Sequence, residues 1–98
     1  MIIGTTPTHI FKTSFDTSLI KKVRVLYSQD DVLILTKEDC IIENNTISVT
    51  LTQEDTLKFD HNKEVKIQLR VLTLGNDALA TVPRKVGVVE CLETEVLV

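Results

Sequence analysis

Histidine and cysteine are the side chains best able to hold a metal or act as nucleophile and base, and this chain has two of each: His9, His61, Cys40 and Cys91. The cysteines are far apart, and neither has a second thiol or an imidazole at zinc-site or C-x-x-C spacing. Both sit in apolar company, Asp39-Cys40-Ile41-Ile42 and Val88-Val89-Glu90-Cys91-Leu92. They read as free thiols packed as small hydrophobes, and a single bridge would form only if the two met across the core. His61 falls in the polar stretch Asp60–Lys63 and His9 opens an alternating run, so neither has the neighbours of a zinc or iron centre. Carboxylates pair at Asp30-Asp31, Glu38-Asp39 and Glu54-Asp55, but no D-x-[DN]-x-[DN]-G calcium loop surrounds them. The four serines, Ser14, Ser18, Ser28 and Ser48, lack a G-x-S-x-G elbow. Gly4, Gly75 and Gly87 are isolated, so no glycine-rich phosphate loop is present. The expectation is a chain with no catalytic, metal or cofactor residues, hence not an enzyme.

Charge narrows the partners. With 14 acidic and 11 basic residues the net charge is −3, and the basic clusters Lys21-Lys22-Arg24 and Arg84-Lys85 are short. A nucleic-acid binder must neutralise several phosphates, so no nucleic-acid partner is expected. Aromatic residues make up 4%, too few for a stacking platform. No run of eighteen apolar residues and no signal-peptide pattern occurs, so the expected setting is a cytosol, or release from one, with no membrane partner.

The elements that must carry these residues are strands. Residues 46–73 contain two strictly alternating segments, Ile47/Val49/Leu51 and Val65/Ile67/Leu69/Val71, each the pattern of a half-buried strand. Between them Thr52-Gln53-Glu54-Asp55 fits an N-terminal capping pattern, so a helical turn near 52–58 should carry the chain between two sheets and pin Leu57 and Phe59 inward. Further strands are expected over His9–Phe15, Leu19–Ser28, Val32–Leu35, Cys40–Ile42 and Ala78–Val82, with Val86–Leu92 extended. Asp16-Thr17-Ser18, Gln29–Asp31, Asn44-Asn45 and Gly75-Asn76-Asp77 supply the breaks. Asn44-Asn45-Thr46 is also a glycosylation sequon, but its residue types suit a tight hairpin turn. Pro83 cannot donate to a ladder and marks an edge or bulge. About seven short strands in 98 residues predict one all-β, antiparallel β-sandwich over 1–98, with an extended arm at 1–8 and a tail at 93–98.

Two resemblances bear on this. Leu51-Thr52-Gln53-Glu54-Asp55-Thr56-Leu57-Lys58-Phe59 resembles the L-x-x-E-D-T-x-x-[YF] segment of immunoglobulin variable domains, although the core tryptophan and the intersheet cysteine pair of that family are missing. Over its length, the chain is similar to small all-β proteins among the virion genes of phages and prophages of gut Clostridia. The residues carrying this are Gly4-Thr5-Thr6-Pro7-Thr8, Phe15–Ile20 leading into Val23-Arg24-Val25, Leu51–Leu57, Gln68–Val71 and Glu95-Val96-Leu97. Such proteins resemble the immunoglobulin-like N-terminal modules of upper-baseplate proteins. The resemblance implies an immunoglobulin-like sandwich with a structural role in a virion, made in the cytoplasm of a bacterial host.

What the strand pattern leaves over is apolar. Ile2, Ile3, Leu33, Leu35, Leu72, Leu74, Val96 and Leu97 exceed what one inner face per strand needs, and large exposed apolar areas are rare on monomers. They are the expected interface for self-association or for other virion proteins, through sheet edges and termini. The alternative is a monomeric ligand- or carbohydrate-binding module whose site is formed by the loops at Asp30-Asp31 and Asp60–Lys63.

Overall fold

Each alternating segment becomes a strand, because one apolar face per strand can be buried only against a second sheet. The computed structural model describes all 98 residues. It contains β1 (Thr8–Lys12), a 3-10 turn (Thr17–Leu19), β2 (Ile20–Gln29), β3 (Val32–Lys37), β4 (Ile41–Glu43), β5 (Thr46–Thr50), α1 (Gln53–Leu57), β6 (Val65–Thr73), β7 (Ala78–Ala80) and β8 (Arg84–Val86). One antiparallel sheet has the order β1-β5-β4 and the other β3-β2-β6-β7, with β8 pairing with β6 as well. The chain crosses between sheets three times, at β1–β2, β3–β4 and β5–β6. The last crossing carries α1, as the capping pattern predicts.

Eight strands stand where about seven were expected, because Pro83 interrupts the returning stretch. Ala78–Ala80 pairs with Arg70–Leu72, and Arg84–Val86 resumes against Val65–Ile67. The sequence predicts an extended continuation past Val86; instead the chain leaves the ladder and meets the N-terminal arm in one parallel bridge, Ile2 to Val89.

The turns follow their residue types. Asn44 and Asn45 both have positive φ (45° and 62°), as do Asp30 and Asp31 (49° and 61°), so each pair closes a two-residue hairpin. In the Gly75-Asn76-Asp77 turn it is Asn76, at φ 65°, that takes the left-handed conformation.

The core lies between the sheets. Val65, Ile67, Leu69 and Val71 of β6 are all buried. Ile67, Leu69 and Val71 pair across with Tyr27, Val25 and Val23 of β2 in one continuous apolar face, and Val65 pairs with Val86 of β8. Ile47 and Val49 of β5 face them, with Leu51 and Phe59 closing one end. Tyr27, Val25, Ile47 and Leu51 are each sealed from solvent, and burying an aliphatic side chain such as Ile47 or Leu51 stabilises the fold by about 2 kcal/mol. Phe11 and Phe15 pack at the margin, half-buried.

Candidate functional site

Three places gather side chains or surface that could do more than fill space. The first surrounds α1. Thr52 caps the helix: its hydroxyl accepts from the Asp55 amide at 3.1 Å, and the Asp55 carboxylate accepts from the Thr52 amide at 2.9 Å. Asp55, 8% exposed, also holds the Lys37 ammonium at 2.9 Å. Burial pushes the Asp55 carboxyl up, but the Thr52 amide and Lys37 outweigh it and hold the group below the ordinary carboxylate range. Lys37 is correspondingly raised, first by its bond to Asp55. Thr56 is fully buried, and its hydroxyl accepts the Gly4 amide at 2.8 Å and donates to the Thr5 carbonyl at 2.9 Å. Gly4 sits at φ +78°, a conformation that favours glycine.

Nearby, His9 Nδ1 lies 2.8 Å from the Tyr27 hydroxyl, and the two rings are 5.6 Å apart. Burial, and then the amino terminus, lower the His9 imidazole. Burial raises the Tyr27 phenol well above its normal range. Cys40 and Cys91 are both half-buried free thiols. The Cys40 thiol is raised by burial and then by Asp39, the reverse of what a nucleophilic thiolate needs. These polar groups satisfy one another, and no buried side-chain polar atom lacks a partner. No three His, Cys, Asp or Glu residues converge on one point.

The second place is a wide polar cleft of about 430 Å³ at one end of the sandwich, lined by Asp30, Asp31, Asn62, Lys63, Glu64, Lys66 and Lys85. Gln29, buried at the end of β2, assembles it. Its amide bonds the Asp60 and Lys63 carbonyls, while its oxygen accepts the Asp60 amide. Lys63 then reaches Asp30 at 2.9 Å and Lys66 reaches Asp31 at 3.5 Å. The two loops of the alternative reading therefore do meet. The lining has no apolar residue and its charges are largely paired.

The third place is a flank of the sandwich. β3 and β4 are terminal strands of their respective sheets, joined by the short connection Glu38–Cys40. Val32 (59%) and Leu33 (57%) are exposed on β3, and Ile41 (61%) and Ile42 (38%) on β4. Both strands are hydrogen-bonded on one side only.

The eight residues expected at an interface divide. Ile3 and Leu35 are core residues, 6% and 8% exposed, and so are not available to a partner. Ile3 is drawn in because the arm docks on its own domain, with the Ile3 amide on the Val89 carbonyl and the Val89 amide on the Met1 carbonyl. Leu35 turns inward opposite Tyr27, and a register shift between Tyr27 and Ser28 leaves Leu33 outside. Leu72 and Val96 are half-buried. Ile2, Leu74 and Leu97 are exposed, but they lie apart: Leu74 joins Leu19 at the far end of the large sheet, and Leu97 is fastened by both ends of the Gln53 amide. Only Leu33 lies on the flank. Ile41 and Ile42 escaped the sequence reading because a three-residue strand gives no clear inner and outer face.

No helix is long and apolar enough to cross a membrane. Comparison with known protein families, characterised proteins and solved structures finds no match to this chain.

Proposed function

We propose that this chain is a non-enzymatic assembly module, a baseplate, tail or head accessory of a phage or prophage virion, which joins its neighbours through sheet edges. The observation that carries the assembly role is a pair of open sheet edges, β3 with Val32 and Leu33 in solvent and β4 with Ile41 and Ile42 in solvent. Edges of this kind template further strands unless charge, proline or a cover blocks them. The virion setting rests only on the resemblance carried by Gly4–Thr8, Phe15–Ile20 leading into Val23-Arg24-Val25, Leu51–Leu57, Gln68–Val71 and Glu95-Val96-Leu97. Partners would be further copies or other virion proteins, and the chain would pass from the bacterial cytoplasm into the particle. Of the apolar termini, Ile2 and Leu97 remain in the interface reading as minor contributors.

Light scattering over a concentration series tests the role. Self-association that Ile41→Lys abolishes supports it; a monomer at high micromolar concentration under every condition contradicts self-assembly.

One observation favours a second reading, a ligand-binding module: the loops at 30–31 and 60–63 form one cleft. Lacking any ring to stack on a sugar, it ranks behind. A glycan-array signal lost with Lys63→Ala would promote it.

A further inference from the structure

Beyond those three places, the outer face of the large sheet gathers positive charge. Val23 and Val25 of β2 and Leu69 and Val71 of β6 are buried in the core, so Lys22, Arg24, Arg70 and Leu72, which alternate with them, lie on the opposite, solvent face. The β2–β6 register sets Arg24 directly opposite Arg70 and Lys22 opposite Leu72. β7 continues both rows with small apolar residues, Ala80 beside Arg70 and Ala78 beside Leu72. The three cations surround a shallow cavity of about 170 Å³ that Leu72 and Ala78 also line.

Two like charges directly opposite each other destabilise a strand pair, and a single acid offsets these. Glu38 accepts from Arg24, whose Nε is 2.8 Å and Nη2 2.7 Å away, and Lys22 Nζ lies at 3.8 Å, all three at the same carboxylate oxygen. Glu38 follows β3, on the far side of β2 from β6, so it serves Arg24 and Lys22 and leaves Arg70 alone. Arg70 is exposed. Its neighbours across the sheet are Arg24 and Ala80, and those along its own face are Gln68 and Leu72; none is an acid. Against three positive charges, Glu38 supplies one negative charge and leaves two unbalanced, on a chain whose net charge is −3.

The leftover charge selects the ligand. A carboxylate brings one negative charge, whereas a phosphoryl group at neutral pH brings close to two. It also presents several oxygens, which guanidinium forks hold bidentately. A compact cluster cannot follow a nucleic-acid backbone, which needs a run of cations, so it suits one phosphoryl group. Leu72 and Ala78 beside the cations suit the organic part of a small phosphate ester.

We infer that Lys22, Arg24 and Arg70 form a binding site for a phosphoryl group, free or carried on a small ester, on the outer face of the large sheet. Arg70 is its principal anchor, because no acid of the chain occupies it. The site is independent of the assembly reading, since it uses none of the exposed apolar residues of β3 and β4.

Heteronuclear NMR titration of the full chain in low-salt buffer tests it, with inorganic phosphate, phenyl phosphate and benzoate as probes. Both phosphates should shift the β2 and β6 amides around Arg24 and Arg70 saturably, and added salt should weaken the binding. Arg70→Gln, at an exposed position, should weaken phosphate binding at least ~10-fold, the loss of one charge-assisted contact, with an unchanged thermal melt. Glu38→Gln removes the competing carboxylate and should tighten binding at least ~3-fold, which a purely structural role for Glu38 would not produce. Lys12→Gln makes the same change of charge as Arg70→Gln but on the other sheet, and should leave affinity within about 2-fold. Phenyl phosphate binding tighter than inorganic phosphate marks the ligand as an ester; equal affinity marks it as the free anion. Benzoate binding as tightly as phenyl phosphate would overturn the phosphoryl assignment. No saturable shift with any probe, or a loss in Lys12→Gln as large as in Arg70→Gln, would overturn the site and leave the assembly reading untouched.

Discussion

The α1 crossover and the β3–β4 flank lie at opposite extremes of this molecule. Around α1 every buried polar side chain has a partner: Thr52 and Asp55 cap each other, Lys37 neutralises Asp55, and Thr56 ties down the arm through Gly4 and Thr5. Along β3 and β4 one side of each backbone is unpaired, and branched aliphatic side chains stand in water. The groups that could do chemistry are thus occupied in holding the fold, while the surface left unsatisfied is backbone and hydrocarbon. Such a surface suits strand addition. Substitutions at the crossover should therefore cost stability and spare association, and substitutions on the flank should do the reverse.

The largest effect on stability is expected for Thr56→Val. It removes a sealed hydroxyl and leaves the Gly4 amide and Thr5 carbonyl unpaired, costing about 3 kcal/mol in urea unfolding. Lys37→Met strands the Asp55 carboxylate and should cost about 2 kcal/mol, less than a fully enclosed pair because some water reaches it. Thr52→Ala loses the cap and should cost about 1 kcal/mol. Unchanged unfolding in that variant would show that the crossover needs no cap. All three should keep the self-association of the wild type. On the flank, Ile41→Lys should shift stability by no more than about 0.5 kcal/mol and abolish association.

pH sharpens the comparison further. The Asp55 carboxyl is lowered in the fold, so the unfolded chain binds the proton first as acid is added. The stability it contributes is present above the ordinary carboxylate value and is lost as pH falls through the lowered one. His9 is lowered too, by burial first. Below an ordinary histidine value of about 6.5 the unfolded chain takes up the proton and the folded chain resists. Stability should fall from there towards the lowered value, and His9→Gln should flatten that segment of the profile.

Much of this was legible in the sequence. Strict alternation placed Val65, Ile67, Leu69 and Val71 inward, and the capping pattern placed α1 at the crossing, because both signals are local. The turns at Asn44-Asn45 and Gly75–Asp77 were equally local. What escaped depends on contacts distant in the chain. Gln29, Asp55 and Thr56 are buried polar residues that each bond at least one distant segment, so a polarity pattern places them in water. Ile3 is buried through a bridge to Val89, which nothing near residue 3 signals. Leu33 and Leu35 share a face by simple alternation, yet the register shift in the β2–β3 ladder separates them. Ile41 and Ile42 stood in a strand too short to assign a face. The polar cleft came closest to legibility, since both of its loops were named, but Lys66 and Lys85 join it from strands.

Hydrogen–deuterium exchange at low and high protein concentration addresses the central claim most directly, because it reads the crossover and the flank in one sample. Amides of β3 and β4 should gain protection as concentration rises, while those of α1 stay unchanged. Protection on the flank that is independent of concentration, or a gain confined to the termini, would contradict an assembly role for these edges.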